Sequence, residues 1–147
     1  MKKFFSFAIA LVACALAFTS CELKIDSPLV GSWNNSGKLT LIDASTGTSQ
    51  SYDAHYWLSF FDNGQFQNNV YITGTFDGVY RKGTWSVKGD QVTIRKQVGG
   101  RIQNNNFYND SSFEPTEEVA TWSIKDHYLT LTYSDGHIEQ YYDGSGQ

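Results

Sequence analysis

From Leu39 onward, apolar side chains recur at alternate positions. Leu39 and Leu41 alternate with Thr40 and Ile42. Tyr56, Leu58 and Phe60 alternate with Trp57, Ser59 and Phe61. Phe66, Val70 and Ile72 share one face, and Val79, Gly83, Trp85 and Val87 share another. Val92 and Ile94 follow, then Trp122 and Ile124, then Leu129, Leu131 and Tyr133, and last Ile138 and Tyr142. Thr, Ser, Lys and Arg fill many of the intervening positions. Period two with one apolar face predicts antiparallel sheet wet on one side. After Pro28, no stretch places apolar residues at i, i+3, i+4 and i+7 over three turns, so no helix is expected.

Turn chemistry punctuates the runs. Asn-Gly in "DNGQ" (Asp62–Gln65) and Asp-Gly in "SDGH" (Ser134–His137) supply the positive φ of tight hairpins. "KGD" at Lys88–Asp90, "KDH" at Lys125–His127 and Asp77-Gly78 mark further turns. The runs amount to eight strands, or nine, joined in sequence. One phrase occurs twice: "TWSVKGDQVTI" from Thr84 and "TWSIKDHYLTL" from Thr121. Each reads as a hairpin with the Trp and the following β-branched residue inward and Thr and Ser outward. A shared structural role explains the repetition, and two copies are too few for a solenoid or propeller. An eight-stranded meander removes its exposed edges by closing, and a barrel of that size is either filled by side chains or holds one small ligand.

The amino terminus departs from this pattern. Met1-Lys2-Lys3 precedes an uncharged apolar run, Phe4 to Phe18, and then Thr19-Ser20-Cys21. A basic start, an apolar middle and small residues at the end make an export leader. "AFTSC" resembles the lipobox of bacterial lipoproteins, in which the Cys becomes the lipidated first residue. That resemblance implies a signal peptide over residues 1–20, lipid on Cys21, a tether over 21–28 and a domain over 29–147. It also implies a bacterial cell-envelope protein held at the outer membrane, on its periplasmic or surface face. Cysteine usage agrees, because only Cys14 and Cys21 occur and acylation removes the one thiol left outside the leader. Net charge is −4, and −6 without Lys2 and Lys3, which leaves no basic footprint for nucleic acid.

"LVGSWN" at Leu29–Asn34 opens the domain. Its Gly31-x-Trp33 resembles the lipocalin signature, whose Trp plugs the barrel base. With "FFDNGQF" at Phe60–Phe66 and "GTWSVKGDQVTI" from Gly83, the chain is similar to lipocalin-like domains of small Bacteroidota lipoproteins over nearly all of residues 29–142. The resemblance implies an all-β, up-and-down barrel with Gly31 and Trp33 in structural roles.

Candidate chemistry is sparse. His55, His127 and His137 have no second His or Cys at metal-ligand spacing. No nucleophile-elbow motif occurs, and Glu117 and Glu118 must face opposite sides of a strand. No catalytic residue, metal or cofactor is assigned. The domain instead keeps 4 Trp and 9 Tyr, which suit a core or a ligand cavity. Arg81 falls by alternation on the face of Trp85, where it would meet an acidic ligand group or stack on an aromatic ring. The polar segment Gln97–Glu118 carries Phe107 and Tyr108 and reads as a lid or partner-contact loop, or as an extended hairpin tip. Arg81, Trp85, Trp122, Phe107 and Tyr108 are the candidate ligand-binding residues. Two functions are expected from this pattern. One is a non-catalytic binder of a small apolar or amphipathic ligand. The other is a filled barrel acting on an envelope protein.

Overall fold

The computed structural model describes residues 24–144. The leader and Cys21 lie outside the described residues. Nine strands follow one another with no helix among the described residues. They are β1 (Gly31–Ile42), β2 (Ser49–Phe60), β3 (Gln65–Ile72), β4 (Gly78–Lys88), β5 (Gln91–Gln103), β6 (Asn106–Asn109), β7 (Thr116–Lys125), β8 (Tyr128–Tyr133) and β9 (Ile138–Asp143). Every pairing is antiparallel. Eight strands close into a ring in the order β1-β2-β3-β4-β5-β7-β8-β9, and β9 returns to β1. The short β6 pairs only with the far half of β5, outside the ring. The result is an all-β, eight-stranded up-and-down barrel with one added strand, an architecture compatible with a lipocalin-like fold.

Closure rests on unequal seams. β4 and β5 pair along most of their lengths, whereas β1 and β9 meet only at Trp33↔Asp143 and Asn34↔Tyr142. The β4–β5 ladder slips where Gly83 pairs with Lys96 but Lys82 pairs with Val98, leaving Gln97 as an extra residue. Such a bulge bends a strand. Beyond it β5 leaves β7 and takes β6 as its partner instead. A side chain at Gly83 would strike the Arg95 carbonyl, so the bulge requires glycine there.

The core fills one end of the barrel, here the base. Trp33, Leu58, Phe60, Phe66, Trp85, Val92, Ile94, Leu129 and Leu131 are buried together, with Leu29 closing the end. Gly31 opens β1 at φ +144°, a conformation that residues with a Cβ rarely adopt. The repeated phrase has a repeated job at this base. Trp85 donates its backbone N–H to the Gly64 carbonyl and its indole N–H to the Phe61 carbonyl, both in the β2–β3 turn. Trp122 does the same one hairpin later, with Asp90 and Gly89 in the β4–β5 turn. Each Trp therefore pins the preceding base turn. Trp33 donates to the Leu29 carbonyl in the same fashion.

Two expectations change in detail. Ile138 and Tyr142 face outward and are exposed, and the buried residue of β9 is Tyr141. Register decides this, since Leu129 pairs with Tyr141 and partners across a ladder share a face. The segment Gln97–Glu118 is mostly strand, forming the outer part of β5, all of β6 and the start of β7.

Candidate functional site

Along each strand the inward positions run from apolar at the base to polar further up. Register identifies them, because facing residues on neighbouring strands share one side of the sheet. Trp33 pairs with Leu58, Leu58 with Asn68, and Asn68 with Arg81, which pairs in turn with Gly99. The inward belt above the base therefore includes Asn35, Tyr56, Asn68, Arg81, Lys96, Glu118, Tyr133 and Glu139. Above it come Leu39, Leu41, Tyr52, Ile72 and Val79, all half-buried. The upper half, the mouth, thus has a polar floor and a mostly apolar rim, which Arg101 joins across from Val79.

One side of the floor is tied to Glu139. The Tyr133 and Tyr141 hydroxyls donate to its Oε2 at 3.1 and 3.0 Å, and His137 Nε2 lies 3.2 Å from Oε1. Burial, and then the Glu139 charge, push both phenols well above the ordinary tyrosine range. Burial followed by the same charge raises Tyr56, whose hydroxyl donates to the Lys38 carbonyl at 2.6 Å. Its ring passes Gly37, where a Cβ would sit 3.5 Å away. Lys96 neutralises Glu118 at 2.9 Å, while Glu117 turns outward to Arg95 at 2.7 Å.

Arg81 faces the opposite side of the floor. Its guanidinium stacks on Phe113 at 5.0 Å from the ring centroid, and Nη1 donates to the Tyr80 carbonyl at 2.7 Å. It forms no ion pair among the described residues. Asn68, its partner across the ladder, has a buried Oδ1 with no hydrogen-bond partner among the described residues. Gly99 lies against Arg81 and Phe113 so closely that a Cβ would meet both within 3 Å. Asp110 is held below the usual carboxylate range by hydrogen bonds from Ser112 and, more weakly, by the charges of Arg101 and Arg81.

The candidate ligand residues are not brought to one place. Arg81 is in the mouth. Trp85 and Trp122 are at the base, buried and half-buried, clamping turns. Phe107 lies on the outer face, edge-on to Tyr80 at 5.1 Å, with the Lys82 ammonium 5.2 Å over its ring. Tyr80 donates its hydroxyl to Asn109 on the same added strand. Tyr108 shares the face of Arg101 and is half exposed. Asn68, Tyr133, Glu139 and Tyr141 were not singled out from sequence. Only the pairing of β9 with β8 reveals that Glu139 faces inward.

No group of three or more His, Cys, Asp or Glu among the described residues could hold a metal ion. None of their helices is long and apolar enough to cross a membrane, because there are none. Fold and mouth together define a small antiparallel β-barrel with a polar-floored opening. The chain matches no family model, no curated protein and no solved structure.

Proposed function

We propose that this chain is a lipid-anchored, lipocalin-like protein of the bacterial cell envelope that holds a small amphipathic molecule in its mouth and catalyses no reaction. The observation that carries the reading is Arg81. An inward guanidinium without a carboxylate partner among the described residues sits below a mostly apolar rim, beside an Asn68 oxygen that has no partner among them. An acidic head group would satisfy Arg81 by charge-assisted hydrogen bonds, and an alkyl portion would lie on Leu39, Leu41, Ile72 and Val79. The Gly31-x-Trp33 start and the "AFTSC" leader support the lipocalin-like lipoprotein of the Bacteroidota type, with the outer membrane as its site.

Titration calorimetry with dodecanoate tests this. The protein is expected to take one equivalent, and Arg81→Gln to weaken binding at least tenfold without changing the melting temperature. Dodecanol should bind the unaltered protein no better than dodecanoate binds the variant. Equal dodecanoate affinity in both proteins would sink the reading. A second reading rests on Phe113. Its ring over Arg81 fills part of the mouth, as a barrel acting through an envelope protein partner would require.

A further inference from the structure

Three of the four tryptophans serve the base, and the fourth does not. Trp57 points outward from β2 and is 48% exposed. It starts a row that crosses the outer face from strand to strand: Trp57 pairs with Asn34, Asn34 with Tyr142, and Tyr142 with Tyr128. Tyr142 and Tyr128 are 42% and 53% exposed. Trp57 and Tyr142 stand two strand spacings apart, about 10 Å. That is the span of a disaccharide unit. A groove of about 530 Å³ runs beside them toward Thr73, Phe76 and Asn105. Not one residue lining it is Asp, Glu, Lys or Arg, in a chain of which 18% is charged.

We infer that this groove binds a neutral oligosaccharide. A sugar ring has an apolar C–H face that stacks on an aromatic ring, and hydroxyls that exchange hydrogen bonds with amides and hydroxyls. Aromatic platforms with Asn34, Asn105 and Thr73 between and beside them provide both. A charged ligand would find no carboxylate, lysine or arginine in this lining, where His55 is the one basic side chain. β2 is paired on both sides and offers an extended peptide no ladder edge, whereas β1 beyond Asn34, where it leaves β9, is paired with β2 alone. A second observation points to the same place. Asn34 on the groove floor is only 7% exposed, and its Oδ1 has no hydrogen-bond partner among the described residues. Buried amide oxygens are nearly always paired, so an unpaired one calls for a donor. Its amide nitrogen packs against Gly144, where a Cβ would come within 2.0 Å. β9 meets β1 at two residue pairs, with a further bond from the Gly144 N–H to the Ser32 carbonyl at 2.9 Å, and a shift of this short seam would open Asn34 to a ligand hydroxyl. This site lies mainly on the outer face, with Asn35, Tyr56 and Ile72 of the inward face lining part of it, and it does not use Arg81.

The test is calorimetry with a panel of neutral hexasaccharides, covering α- and β-linked gluco-, manno-, xylo- and N-acetylgluco-oligomers, with hexagalacturonate as the anionic control. The protein is expected to bind at least one neutral member saturably, and not the control. Trp57→Ala and Tyr142→Ala should each weaken that binding at least tenfold. Both side chains are substantially exposed, so the melting temperature should hold. Arg81→Gln, in the mouth, should leave oligosaccharide affinity unchanged. Failure of every neutral hexasaccharide to bind would overturn the inference. So would binding that survives both aromatic substitutions or that requires Arg81.

Discussion

Glu139 shows how one inward carboxylate sets the chemistry of its neighbours. Tyr133 and Tyr141 both donate to it, and burial strengthens the preference for their neutral forms. A phenol whose pKa is raised by folding contributes stability that is intact below its unfolded value of 10.0 and is lost as pH climbs toward the folded value. Denaturant midpoints should therefore fall between about pH 9 and about pH 11. Tyrosinate absorbance should show at least two fewer ionised tyrosines in the folded protein than in the unfolded one, Tyr133 and Tyr141, with Tyr56 raised in the same direction. Ionisation of all 9 tyrosines near pH 10 with near-ultraviolet circular dichroism intact would contradict this arrangement. Glu139→Gln removes the charge, and the gap between folded and unfolded titrations should narrow. The tryptophan clamps make a second residue-scale prediction. Trp85→Ala removes a buried ring and the indole N–H bond to the Phe61 carbonyl, and should cost about 3–5 kcal/mol in denaturant unfolding. Trp122→Ala should cost less, because Trp122 is only half-buried.

At the level of elements, most of the barrel was legible because hairpin turns and period two are local signals. "KGD" and "KDH" close equivalent hairpins, β4–β5 and β7–β8. Arg81 could be placed inward because β4 keeps its alternation and the extra residue sits in β5. That bulge and the switch of β5 from β7 to β6 are set by a long-range ladder, and no local pattern announces them. β9 misleads for a related reason. Its apolar Ile138 and Tyr142 are outward, while Glu139 is inward and held by tyrosines drawn from two strands. A sequence pattern cannot separate a carboxylate satisfied inside from one solvated outside. The second hairpin also carries avoidable strain. Asp126 and His127 adopt φ of 52° and 68°, the type I′ turn that Asn-Gly fits best. Asp126→Asn with His127→Gly should raise stability by about 0.5–1 kcal/mol, read as a higher melting temperature.

At the scale of the molecule, the chain enters at the base of the barrel, which decides the end that the proposed anchor would face. Ile25 packs against the base core and donates its N–H to the Asp62 carbonyl at 2.6 Å, in the β2–β3 turn. Ile25 lies four positions after Cys21, a distance of at most about 14 Å along the chain. A lipid on Cys21 would therefore hold the base toward the membrane and turn the mouth away from it. The aromatic row would stand on the flank. Such an orientation suits a mouth that takes its ligand from the aqueous side. The most direct test of the account is native mass spectrometry of the protein purified without exposure to detergent. The account predicts one bound acidic amphiphile, released on denaturation and absent from Arg81→Gln. A bare protein mass, together with no uptake of added dodecanoate, would contradict it and leave a filled barrel whose business is with other proteins.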